Sequence, residues 1–177
     1  MDWWRDIYVA FKNADVRQVV YVPDAGHADL IDSCIEDDEI TSVPLTTEEE
    51  GVAVLAGAWL GGHRGVLLMQ SSGVGNCLNM FGLMQTCRFP LAAFVTMRGQ
   101  WQEFNPWQMP MGQGTDRALS AMNVNVETAD NAKDVGKKSE AVLHSAFIGN
   151  QMTALLLHQS LMPVSYTHLT LPTRDLV

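Results

Sequence analysis

Residues 64–87 read RGVLLMQSSGVGNCLNMFGLMQTC. Positions 66–69 are apolar without alternation, so a strand here is covered on both faces. Gln70, Ser71, Ser72, Gly73, Val74, Gly75 and Asn76 form a polar, glycine-bearing turn. A second apolar stretch runs from there to Cys87, long enough for a helix. A doubly covered strand leading into a helix is the repeating unit of a parallel sheet. The same alternation extends outward in both directions. Trp3, Ile7, Ala10 and Phe11 recur at helical spacing. Residues 19–22 read as a short apolar strand, followed by a turn at Pro23-Asp24-Ala25-Gly26 and a helix. Residues 39–45 predict a second strand, and a helix capped by Thr46 or Thr47 follows it. On the other side, residues 90–99 predict a strand that leaves into a long polar loop and a short helix. Residues 130–149 predict a surface helix, and residues 152–159 a last strand. The expectation is one α/β domain over residues 1–163, a three-layer αβα sandwich with a mostly parallel sheet. Ligands on such folds lie at the carboxyl ends of the strands. Four polar segments follow strands: 24–27, 46–50, 70–76 and 98–114. They are expected to converge on one edge of the sheet.

Hydrophobic residues make up 47% of the 177 residues and charged residues 18%, a composition that folds. The formal net charge of -9 argues against nucleic acid or an anionic membrane as the main partner. Cys34, Cys77 and Cys87 are odd in number and fit neither a disulfide framework nor a zinc site. They read as reduced thiols, which points to the cytoplasm. The first residues carry acids and no continuous apolar run, unlike a signal peptide. No run is long enough to span a membrane. The final stretch, VSYTHLTLPTRDLV at 164–177, departs from the preceding pattern and is expected to be a non-native tail.

Few motifs carry chemistry by themselves. Gly73 and Gly75 lack the third glycine of a dinucleotide loop, since Leu78 stands there, and no Gly-Lys-Ser/Thr occurs. The pair is either a tight strand-to-helix turn or a turn opened so that a ligand ring lies on the backbone. Trp101, Phe104 and Trp107 lie in a loop with Pro106 and Pro110. Such a loop is an interface or a lid, or it folds back on its own domain. His63 falls in a turn and His144 on the late helix, both read as solvated or structural. His27 begins a helix at the ligand edge and is a candidate proton donor or anion contact. Glu48, Glu49 and Glu50 open an otherwise apolar helix. Thr47 and Glu50 have the spacing of a capping box, which gives Glu50 a structural task. Glu48 and Glu49 remain as an acid-rich helix start or as a proton-exchanging group. The helix dipole favours their charged form there and apolar surroundings the neutral one.

Taken in order, VPDAGHADLI, TTEEEGVAVLAGAWLGG, LLMQSSGVGNCLN and MRGQWQEFNPWQMPMGQGT resemble the pyrimidine-binding domain of thiamine-diphosphate enzymes. The likeness is greatest to the alpha subunits of sulfopyruvate decarboxylase and the matching part of phosphonopyruvate decarboxylase. In that family a glutamate stands nine and ten positions before a small residue and an aromatic. Ala58 and Trp59 select Glu49, whereas counting from Gly57 selects Glu48. The resemblance implies that Glu49 is catalytic. Its carboxyl group would hydrogen-bond the aminopyrimidine ring nitrogen of thiamine diphosphate and favour the imino tautomer, which takes the proton from the thiazolium C2. Addition to the keto carbon of a 2-oxo acid and loss of carbon dioxide would follow. The resemblance further implies cofactor contacts from Pro23, Gln70, Gly73, Val74, Gly75 and Asn76. It places Asp24 and His27 toward the substrate. Arg98 would pair with an anionic substrate or make a structural ion pair. The family's Gly-Asp-Gly motif for diphosphate and Mg2+ is absent, so no metal ligand is assigned to this chain. The implied partner is a beta-type subunit carrying that domain, in a hetero-oligomer acting on a small anionic 2-oxo acid. A carboligase subunit and a non-catalytic partner subunit are the rival readings.

Overall fold

A computed structural model describes residues 2–162. Six strands form one sheet in the order β2-β1-β3-β4-β6-β5, and every neighbouring pair is parallel. The strands are β1 (Val16–Tyr21), β2 (Thr41–Pro44), β3 (Arg64–Gln70), β4 (Leu91–Thr96), β5 (Asn125–Ala129) and β6 (Met152–Leu157). The helices are α1 (Trp3–Asn13), α2 (Ala28–Ile35), α3 (Glu48–Leu60), α4 (Ser71–Cys87), α5 (Met109–Ala121) and α6 (Val135–Phe147).

The alternation of side chains along a strand sends neighbours to opposite faces. Val66 and Leu68 of β3 join the core beneath α1, α2 and α6. Leu67 and Met69 join the core beneath α3, α4 and α5. The same split divides Ala92 and Phe94 from Leu91, Ala93 and Val95 of β4. This is the expected three-layer sandwich, with each apolar strand residue removed from water on one side or the other. Trp3, Ile7, Ala10 and Phe11 are the buried residues of α1, as their spacing predicts. Phe11 meets Phe94 edge to face, centroids 4.9 Å apart. The Trp3 indole donates to the Leu161 carbonyl at 3.0 Å, tying the start of the described chain to its end.

Two expectations change. The 70–76 segment is not a loop, because α4 begins at Ser71 directly after β3, so Gly73 and Gly75 lie inside its first turns. β5 was not expected. Its sequence, NVETA, is polar and mostly exposed, because it is an edge strand paired only with β6. The tail at 164–177 lies outside the described residues. Among the described residues, no helix is long and apolar enough to cross a membrane.

Candidate active site

In an all-parallel sheet the segments leaving β1, β2, β3 and β4 emerge on one edge, and the predicted convergence is observed. Asp24 is the hub. Its Oδ1 accepts from the Gly26 amide at 3.1 Å and from Gln70 Nε2 at 3.3 Å. Its Oδ2 accepts from the Thr96 hydroxyl. Gln70 Oε1 accepts in turn from Ser72 Oγ at 3.0 Å and from Gln108 Nε2 at 3.1 Å. One polar chain thus joins the ends of β1, β3 and β4 to the start of α4 and to the loop before α5. Burial would raise the Asp24 pKa, but the His27 ring, the Thr96 hydroxyl and the Gly26 amide outweigh it and bring the carboxyl down to about 2.

His27 is 0% exposed. Its Nδ1 stands 3.2 Å from Asp24 Oδ2, but the approach is poorly aligned, and neither ring nitrogen makes a well-formed hydrogen bond. Both residues therefore form the floor of the edge, beneath its open surface. His63 and His144 are exposed, as read from their positions.

Arg98 has a defined task. Its Nε and Nη2 donate to the two oxygens of Glu103, each at 2.7 Å, in a forked pair. Glu103 also accepts from the amides of Gly99 and Asn105 and from Gln159 Nε2. The Arg98 guanidinium, followed by these donors, holds the Glu103 carboxyl at about 2 against the effect of burial. Of the two alternatives for Arg98, the structural ion pair is present, with Nη1 left over. The loop beyond it is therefore anchored while its aromatic side chains face outward: Trp101 is 52% exposed, Phe104 75% and Trp107 83%.

The three glutamates at the start of α3 do different things. Glu50 Oε2 accepts from the Thr46 amide at 2.9 Å. The capping box is thus shifted by one residue, and the Thr47 side chain does not cap the helix. Glu48 reaches across to α4. Its Oε2 accepts from Asn76 Nδ2 at 2.8 Å, and its carboxyl carbon lies 2.3 Å from where a Cβ on Gly73 would stand. Glu49 is half-buried. The Thr47 hydroxyl, followed by its own backbone, lowers its pKa. Even so, Glu49 Oε2 and Thr47 Oγ1 are both shut off from water without a hydrogen bond of good geometry. Both carboxyls lie near Cys77, whose thiol burial pushes up to about 12, with Glu48 and then Glu49 adding to the rise.

Gly75 and Asn76 are exposed beside these acids, whereas Gly73 and Val74 are buried. Sequence reasoning missed Ser71, Thr96, Glu103 and Gln108. Thr96 was findable as the polar last residue of an otherwise apolar strand. Ser71 Oγ accepts from the Arg98 amide at 3.0 Å, a contact that no spacing announces. Among the described residues no group of three or more His, Cys, Asp or Glu side chains is placed to hold a metal ion.

This edge resembles no isolated motif, and relatives decide its family. The sulfopyruvate decarboxylase subunit alpha of Methanococcus maripaludis is 36% identical over 119 residues, 67% of this chain and 71% of that protein. The chain belongs to the sulfopyruvate decarboxylase alpha-subunit family. Its counterpart from Methanothermobacter thermautotrophicus is 31% identical over 145 residues and is covered over 88% of its length. A phosphonopyruvate decarboxylase from Streptomyces viridochromogenes is 31% identical over 144 residues, but only 34% of it is covered. In three dimensions the chain is similar to the 2-oxoglutarate:ferredoxin oxidoreductase of Magnetococcus marinus, with a TM-score of 0.70 at 11% identity. That likeness covers 92% of this chain and 29% of the other, and it concerns the fold alone. No family model matches the chain.

Proposed function

We propose that this chain is the alpha, pyrimidine-binding subunit of a thiamine-diphosphate-dependent decarboxylase that converts sulfopyruvate to sulfoacetaldehyde and carbon dioxide. The observation that carries the reading is the Glu49 carboxyl, with one buried oxygen left without a partner at the carboxyl edge of the sheet. An unpaired buried oxygen is costly, and a ligand nitrogen that hydrogen-bonds it removes the cost. Gly73 fits the same ligand, because the absence of a Cβ there lets α3 and α4 approach closely. When bound, the cofactor supplies the electron sink for the electrons released as carbon dioxide leaves.

The roles of this chain's residues follow from their places. Glu49 holds and returns a proton at Oε2, against the pyrimidine nitrogen. Gly73, Val74, Gly75 and Asn76 line the ring on the α4 side, with Pro23 and Gln70 behind. Asp24 and His27 shape the floor on the substrate side. Arg98 anchors the loop through Glu103 and keeps Nη1 for the anionic substrate. The sequence contains no Gly-Asp-Gly run. The diphosphate and Mg2+ are therefore assigned to a beta-type subunit, consistent with relatives that are themselves named as alpha subunits. Phosphonopyruvate is the second candidate substrate, favoured by the match to the Streptomyces enzyme.

The assay mixes this chain with a beta-type subunit, thiamine diphosphate, Mg2+ and sulfopyruvate and measures carbon dioxide. Release that needs both subunits is expected. Glu49→Gln should lower the rate by about 10²–10⁴-fold, the range for loss of a general acid–base group. A Glu49→Gln enzyme at full rate would remove Glu49 from catalysis.

A further inference from the structure

The interaction between Glu48 and Asn76 is not used by the proposed chemistry, yet it lies in the middle of the site. Glu48 Oε2 accepts from Asn76 Nδ2 at 2.8 Å. A carboxylate can only accept, so the amide nitrogen of Asn76 must face it and the amide oxygen must turn the other way. Among the described residues that oxygen has no hydrogen-bond partner. The Glu48 carboxyl carbon and Oε1 also lie 2.3 Å from the place of a Cβ on Gly73. The start of α3 is thus seated on the start of α4 through one acid, one glycine and one amide.

We infer that Glu48 is a positioning residue that fixes the spacing of α3 and α4 and orients Asn76, so that the Asn76 carbonyl oxygen is presented to an amino group on a heteroaromatic ligand. The ligand half of this inference rests on the thiamine-diphosphate reading above. The neighbouring acids then divide the labour: Glu49 carries a proton, and Glu48 acts only as a hydrogen-bond acceptor. Glutamine at position 48 retains an acceptor oxygen for Asn76, whereas glutamine at position 49 cannot give up and regain the carboxyl proton.

The test uses the assembled two-subunit enzyme and two measurements. The first is the thiamine diphosphate concentration that half-saturates activity. The second is hydrogen–deuterium exchange at the cofactor C2 under saturating cofactor. Glu48→Ala is expected to raise half-saturation about tenfold, the scale of one lost hydrogen bond with its ordering. Glu48→Gln is expected to stay within about threefold of wild type by the same arithmetic. Both variants keep C2 exchange, and Glu49→Gln loses it. Loss of exchange in Glu48→Gln would make Glu48 the acid and overturn the assignment. So would a Glu48→Gln enzyme as impaired as Glu48→Ala, or no change in either.

A third measurement needs no cofactor. Thermal midpoints of the isolated chain carrying Glu48→Ala, Asn76→Ala and both should be non-additive, and additivity would refute the contact. If the wild-type complex ignores thiamine diphosphate, the functional reading and the ligand half fall together. The cycle then judges the positioning half alone.

Discussion

Three consecutive glutamates show how little a residue type says until its neighbours are known. Glu50 bonds the chain just before α3, Glu48 crosses to Asn76, and Glu49 keeps an unpaired oxygen. The sequence separated Glu50 from the other two through its capping spacing. Counting from Ala58 and Trp59 picked Glu49 only through a family resemblance. The task of Glu48 was not legible, because it depends on Gly73 and Asn76, more than twenty positions away, coming to lie beside it. Asp24 and Glu103 carry a consequence for acid stability. Their ordinary values are 3.8 and 4.5, and both are held at about 2 in the folded chain. A depressed carboxyl stabilises the fold above its unfolded pKa and loses that contribution as pH falls through the folded one. The melting temperature should therefore be level above about pH 5 and fall between about pH 4 and 2, by roughly 2–4 °C for each kcal/mol lost. Glu103→Gln should lower the plateau and flatten this fall. An unchanged acid limb in that variant would show that the Arg98 pair contributes nothing.

Elements were easier to read than contacts. Helices α1, α3 and α4 and the apolar strands β1, β3 and β4 announce themselves by spacing and by runs covered on both faces. β5 failed the same test because an edge strand with few buried side chains has no apolar run to display. The glycines of α4 were placed in a turn because glycine usually marks one, whereas Gly73 is there for close approach between two helices. α5 offers a direct trial of that distinction. A Cβ on Gly112 would meet the Arg98 carbonyl at 2.2 Å and the Gly99 Cα at 2.7 Å, both rigid backbone. One on Gly114 meets nothing within 4 Å. Denaturant titration of the isolated chain should find Gly112→Ala destabilised by about 1–3 kcal/mol, the usual cost of overpacking. Gly114→Ala should gain about 0.5–1 kcal/mol from helix propensity. Equal effects at the two positions would mean that α5 does not bear on the 98–99 turn as described.

At the scale of the whole molecule, the sheet edge that gathers the polar network also carries Trp101, Phe104 and Trp107 on an anchored loop. The loop was legible as an interface or lid from its aromatics alone, but its anchoring by Arg98, Glu103 and Gln159 was not, since Gln159 follows the last strand. Replacing the three aromatics together with serine should leave the thermal midpoint of the isolated chain near that of wild type, because their side chains face outward. The same triple variant should lose co-elution with the beta-type subunit in size-exclusion chromatography, as expected when a cluster of aromatic anchors is removed. A variant that still co-elutes would place the subunit contact elsewhere.

The outward-facing aromatics also set a rule of dosage. A chain that displays tryptophan and phenylalanine on a held loop has, when made in excess, a sticky surface that nothing covers. Synthesis matched one-for-one with whatever chain covers that loop would keep the surplus small, so soluble yield in a host cell should follow co-expression more closely than any solvent condition.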